Sequence, residues 1–301
     1  MTDNRASVSL FARWGVLFGV FFIMLIAVSL LAGVIGHFNI NPRTSGLMVA
    51  AVQSIFLFIV PAVVYARVFS HSPWKELDLI RGLELRQILG VALLFFIGLP
   101  ALNQIISWNE GMTLPGIMRG MEETLREWEN QAQKASEILL DTSSFGGMLC
   151  GVLVIGVLTG IAEELFFRGA IQKSMEASGI NPYVAIWCAA FIFSTLHFQF
   201  YGFIPRLLLG AFFGYLLFWS RSLWVSAFAH ALNNSVIVVT AWLTRKDIIS
   251  TDVEQWGIST GGFPWIALAS IVLFLLLAIY GRRLLFYPSL SKIKPLKRNL
   301  R

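Results

Sequence analysis

The chain has 301 residues and a formal net charge of +6; 56% of its residues are hydrophobic and only 13% are charged. A soluble domain carries about 25% charged residues. This balance, with a mean hydropathy of +0.72, excludes a soluble globular protein and predicts an all-α, polytopic membrane protein forming a single membrane domain over 1–301. Cys150 and Cys188, the two cysteines, cannot build a disulfide framework or a thiolate zinc site, and are expected to be small packing residues.

Eight apolar runs approach the length that crosses ~30 Å of hydrocarbon. They are 14–36, 45–66, 87–107, 146–168, 182–200, 203–219, 223–244 and 262–280. Helices are expected throughout, because lipid offers no partner for unpaired backbone groups. The first run is too long for a signal-peptide core, so no cleaved leader is expected. The first three spans carry no ionisable residue and read as scaffold; Pro100 predicts a kink in the third.

The loop 107–145 contains a helical pattern. Ile117, Met121, Leu125 and Trp128 recur at spacings of three or four, with Glu122, Glu123, Arg126, Glu127 and Glu129 opposite. This predicts an amphipathic helix that lies on the outer membrane surface or caps the bundle. A lid gating a substrate is the sharper reading.

Ionisable residues within the spans are confined to 163–230. The fourth span carries Glu163, Glu164 and Arg168, the fifth His197, the sixth Arg206 and the seventh His230, with Asn233 and Asn234 one turn on. Arg206 is expected to snorkel to the interface, although its neighbours place it close to His197. The sixth span has Gly210 and Gly214 at GxxxG spacing, suited to close helix approach within the bundle or to a dimer. The link 219–222 predicts a tight hairpin. The last span is again free of charge, and the basic tail at 281–301 ends in Lys292, Lys294, Lys297, Arg298 and Arg301.

With the N-terminus inside, 16 Lys and Arg fall on the cytoplasmic side and 7 on the other. That bias predicts both termini in the cytoplasm, and a tail that meets anionic headgroups of the lipid bilayer. A short basic tail beside a span is ordinary topology, so no nucleic-acid partner is expected.

Charge in hydrocarbon costs several kcal/mol, so intramembrane carboxylates face polar partners. Glu164 and Arg168 are i and i+4 and share a helix face. Glu163 is turned about 100° away. His230 and Asn234 are also i and i+4 and address one cavity. Counted from the cytoplasmic ends of their helices, Glu163 and His230 lie ~16 and ~12 Å deep. His197 fits this depth less well, at ~22 Å. A carboxylate, two imidazoles and an amide supply a general base, a water-holding group and oxyanion donors, which is what hydrolysis at a carbonyl needs. Glu163, His197 and His230 also form a set that can bind zinc, though the HExxH helix is absent. Taken singly, Glu164–Arg168 reads as a structural ion pair, and each histidine as a helix–helix hydrogen bond.

EELFFR (163–168), FSTLH (193–197) and HALNN (230–234) resemble the EExxxR, FxxxH and HxxxN motifs of the CPBP family. These are the CAAX-protease and bacteriocin-processing, or ABI, proteins, which include type II CAAX prenyl endopeptidases. The resemblance covers about 146–244. It implies an eight-helix intramembrane peptidase with 146–244 as its motif-bearing part. It assigns Glu163 and His197 to the catalytic water and His230 with Asn234 to the oxyanion, with Glu164 and Arg168 in support. The resemblance leaves the need for a metal open; metal-free catalysis is expected here, with zinc as the alternative.

The function expected is therefore an intramembrane endopeptidase that cuts a peptide or protein reaching a membrane cavity from the cytoplasmic side. A multi-pass protein of a bacterial inner membrane is the expected location. Two other classes compete: a proton-coupled transporter using the same residues as a relay, and a non-catalytic regulator or immunity protein.

Overall fold

A computed structural model describes residues 8–249, 255–259 and 262–287. Among these the chain is helical, with no strand. Seven helices are long and apolar enough to cross a membrane. In chain order, α1 is Leu10–His37, α2 Pro42–Phe69 and α3 Leu85–Glu110. The loop helix α4 is Arg119–Leu140. Then follow α5 (Phe145–Ala177), α6 (Pro182–Thr195), α7 (Phe203–Ser220), α8 (Leu223–Arg245) and α9 (Trp265–Leu285). The tail residues Lys292 to Arg301 lie outside the described residues.

Local chemistry sets these boundaries. Ser9, Asn41, Ser144 and Asn181 each cap a helix through a side-chain oxygen, which satisfies a backbone N–H left over in the first turn. Glu84 and Gln87 form a reciprocal capping box at the start of α3. Pro100 stands inside α3, which continues unbroken to Glu110. The α7–α8 hairpin turns on Arg221, held at φ +54°.

The fifth run departs from expectation. It forms a helix of only 14 residues, ending at Thr195 rather than near 200. At about 1.5 Å per residue that is ~21 Å, short of a full crossing. Phe198 adopts φ +55°, a left-handed conformation that costs a non-glycine residue about 1–2 kcal/mol. This turn ends α6 and sends the chain back toward α7.

The chain order sorts the loops onto two faces. One carries 70–84, the α5–α6 link, Arg221 and Arg282–Leu285; the other carries 38–41, α4 and 196–202. Hydrogen bonds tie each face together. Lys173 Nζ meets Asp78 at 2.8 Å and Ser222 Oγ donates to the Arg81 carbonyl on the first face. Arg43 donates to the Leu139 and Gly147 carbonyls on the second.

Many large apolar side chains of α1 and α9 point outward, as a lipid-facing surface requires. Cys150 and Cys188 also lie exposed on the outside of the bundle, where the sequence predicts packing positions. The interior is aromatic: Phe21, Phe58, Phe166, Phe167 and Phe193 form a chain of edge and tilted ring contacts beside α5. Gly210 and Gly214 both face α6. A Cβ on Gly210 would stand 3.1 Å from Ala190 and Phe193, and one on Gly214 2.9 Å from Ile186. That motif is used within the chain.

Candidate active site

The site begins with a close helix crossing. Gly156 and Gly160 on α5 face α8. A Cβ on Gly160 would lie 2.9 Å from the Ala231 backbone nitrogen, and one on Gly156 2.2 Å from Ser235 Oγ. Only glycine permits this approach. It sets the EE pair, one turn below Gly160, directly against His230. This GVLTG signal was legible in the sequence, but it is overshadowed there by the other glycine pair. Around the pair α5 is locally unusual: Thr159–Glu164 is α-helical, and the turns on both sides, Val152–Leu158 and Leu165–Gln172, are π-helical. The wider turns re-aim successive side chains, a feature frequent at functional sites.

Glu164 is fully buried. Its Oε1 accepts from Arg168 Nη1 at 2.7 Å and from His230 Nδ1 at 2.9 Å; its Oε2 accepts from Ser226 Oγ. The expected i,i+4 pairing with Arg168 is present, but Ser226 and the histidine contact are additions that helical spacing could not reveal. Arg168 is fully buried too. Its Nη2 donates to the Gly210 carbonyl at 2.9 Å, and its guanidinium lies 4.7 Å from the Phe193 ring centroid.

His230 therefore stands between the two glutamates. Nδ1–H donates to Glu164, which leaves Nε2 facing Glu163 Oε2 at 3.7 Å. The ring stacks on Phe213, with centroids 4.8 Å apart and planes 19° apart. Both contacts fix its orientation. His197 is one turn beyond Phe193 and donates from Nδ1 to the Phe193 carbonyl at 2.7 Å, so its Nε2 is left for other partners. It sits in the turn after α6, not within a span as the sequence suggests. The shortness of α6 resolves the awkward depth, since His197 lies past the helix end. Asn234 Nδ2 donates to the Ile155 carbonyl at 3.1 Å, and its oxygen accepts from Asn233.

Glu163, His197, His230, Asn233 and Asn234 all line one cavity of about 600 Å³. Ser54 and Thr159, hydrogen-bonded to each other at 3.0 Å, line it as well. Glu164 and Arg168 do not; they lie beneath its floor. Arg206 turns into the cavity and donates to Gln199 at 2.9 Å, where the sequence predicts a side chain snorkelling to the interface. Among the described residues, no three His, Cys, Asp or Glu side chains are grouped to hold a metal ion. Glu163, His197 and His230 are not grouped as zinc ligands in this arrangement.

The fold and this site define a multi-pass helical membrane protein with a buried carboxylate–imidazole centre at the floor of a cavity. Residues 145–236 match the family model described as type II CAAX prenyl endopeptidase Rce1-like. This match runs from α5 into α8, less than a third of the chain, includes every fixed residue of the three motifs, and supports an assignment to the CAAX protease, or CPBP, family. No curated protein and no solved structure matches the chain.

Proposed function

We propose that this protein is an intramembrane endopeptidase of glutamate type, in which Glu163 is the general base. The observation that carries this reading is the division of labour between the adjacent acids. Glu164 is saturated by Arg168, His230 and Ser226, whereas Glu163 opens into the cavity beside His230 and the half-buried His197.

In this reading Glu163 takes a proton from a water held against His197 Nε2. The hydroxide attacks the peptide carbonyl, and Glu163 returns the proton to the leaving amine. The oxyanion is held by His230 and the Asn234 amide. Donation from His230 Nε2 to the oxyanion needs the ring doubly protonated, with Nδ1–H held by Glu164 and that carboxylate as countercharge, since Glu163 carries the water's proton at this stage. Each well-placed donor is worth about 3 kcal/mol in the transition state. Arg168 and Glu164 are positioning residues: they hold the His230 ring and touch no substrate. Residues 146–244 carry the chemistry, and the remaining helices hold them within one membrane domain.

The substrate class is a peptide or protein segment that enters the cavity. A bacterial inner membrane with both termini cytoplasmic agrees with the charge bias. The test is proteolysis of a fluorogenic peptide library by the purified protein in detergent, with Glu163→Ala and His197→Ala beside it. Cleavage lost in both mutants, with the fold retained, is the expected result; full activity in either removes the mechanism. A proton-coupled transporter or a non-catalytic regulator would instead show proton flux sensitive to Glu163→Gln, or motif mutants with an unchanged cellular phenotype.

A further inference from the structure

The cavity lies wholly on one side of the bundle. Its walls are the halves of α2, α3, α5, α7 and α8 that adjoin the α4 face, represented by Gln53, Ile106, Ile155 and Ile237. No residue of 70–84, of the α5–α6 link or of the Arg221 hairpin lines it. The opposite side of the floor is closed by Glu164, Arg168, Phe166, Phe167 and Leu223, all buried. Among the described residues, the cavity above Glu163 therefore opens toward the α4 face and is closed toward the opposite one. His230 is fifteen residues from Arg245, so the floor is ~22 Å below that end of α8 at about 1.5 Å per residue.

The helix α4 lies across the mouth, with Glu129, Ser136, Leu139 and Leu140 lining it. It is tethered at two points. At one, Arg126 donates to the Glu110 and Met112 carbonyls and covers the Tyr201 ring at 3.6 Å, while Glu129 accepts from Gln199 and the Tyr201 amide. At the other, Arg43 holds the Leu139 carbonyl at 2.9 Å, and Leu139 fills the space left by Gly46. Exposed Ser136 stands between the tethers.

The charge of the two faces then gives the direction. Among the described residues, nine Lys and Arg (Arg13, Arg67, Lys75, Arg81, Arg86, Lys173, Arg221, Arg282 and Arg283) belong to the face away from α4 and six (Arg43, Arg119, Arg126, Lys134, Arg245 and Lys246) to the α4 side, a bias that puts the α4 face outside the cytoplasm. We infer that the substrates are polypeptide segments already translocated to the extracytoplasmic side, passing under α4 between its two tethers. This rests on the protease reading and reverses the cytoplasmic entry that residue depth alone suggests. The floor is nearer the cytoplasmic face, but the passage to it is not.

Sidedness is measurable apart from catalysis. In a Cys150→Ser, Cys188→Ser background, single Ser136→Cys, Gln53→Cys and Lys75→Cys variants are exposed to a membrane-impermeant maleimide. Right-side-out vesicles should label Ser136→Cys and Gln53→Cys and spare Lys75→Cys; inside-out vesicles should give the reverse. Labelling of Ser136→Cys from inside-out vesicles alone overturns the inference. Proteoliposomes sorted by orientation and given an external peptide library should cleave only where the α4 face is outward. Cleavage confined to the other orientation also overturns it. No cleavage in either overturns the polypeptide substrate and the protease reading with it, while the labelling still decides the side.

Discussion

Replacing Gly160 with alanine places a methyl group where α5 and α8 touch. The new Cβ would lie 2.9 Å from the Ala231 nitrogen, 3.1 Å from its Cα and 3.4 Å from its Cβ. Two of these atoms are backbone, so no flexible side chain can yield. Relief to an ordinary contact of about 3.5 Å moves the helices apart by roughly 0.5 Å. His230 immediately precedes Ala231, and Glu164 is one turn from Gly160. The same movement stretches the Glu164–His230 bond from 2.9 Å to about 3.4 Å, beyond the usual hydrogen-bond range. Overpacking costs about 1–3 kcal/mol, and alanine returns up to about 1 kcal/mol of helix propensity. The fold therefore survives with a small loss of thermal stability. Activity suffers more: a 1 Å misplacement can cost about 100-fold, so a shift of half that predicts a loss of about tenfold. The assay is peptide cleavage beside thermal stability in detergent. Gly19→Ala is the control, because nothing stands within 4 Å of Gly19. If Gly160→Ala cleaves within twofold of the parent, the close crossing does not position the site and the reasoning fails.

Further outcomes follow from the same geometry. Glu163→Gln should lower cleavage at least about 100-fold, because the base is gone while the amide keeps the shape; thermal stability should stay close to that of the parent, and a surviving rate refutes the assignment. Arg168→Met leaves Glu164 as a buried charge with fewer donors and should destabilise the protein by about 3–5 kcal/mol, read as a lower unfolding temperature; a variant as stable as the parent would show the ion pair to be dispensable. If Glu163 works without a metal, purified protein should cleave at full rate in strong chelator and contain less than stoichiometric zinc by elemental analysis; loss of activity restored by zinc alone would reverse this. Arg126→Ala should loosen α4 at one tether, seen as faster labelling of Gln53→Cys by maleimide, and an unchanged rate would mean that α4 does not restrict the mouth.

Much of this was legible in the chain. Apolar run lengths and the scarcity of charge determined the membrane class and the approximate spans, since hydrocarbon tolerates little else. Helical spacing determined that Glu164 would meet Arg168, because i and i+4 side chains share a face whatever the surroundings. Other features depended on distances between helices. Ser226, Phe213 and the Gly156–Gly160 crossing could not be ranked from one sequence, because each matters only through the residue it faces. Arg206 and His197 were misplaced for the same reason: α6 ends at Thr195, so His197 lies in the turn beyond it, and Arg206 meets Gln199 of that turn in the cavity. The sequence by itself determined which residues had to escape lipid. The tertiary structure added Ser226 and His230 to the partners that seal Glu164, and placed the cavity beside Glu163 in the half of the bundle that adjoins α4. Those choices belong to packing between segments far apart in the chain, which no local periodicity encodes.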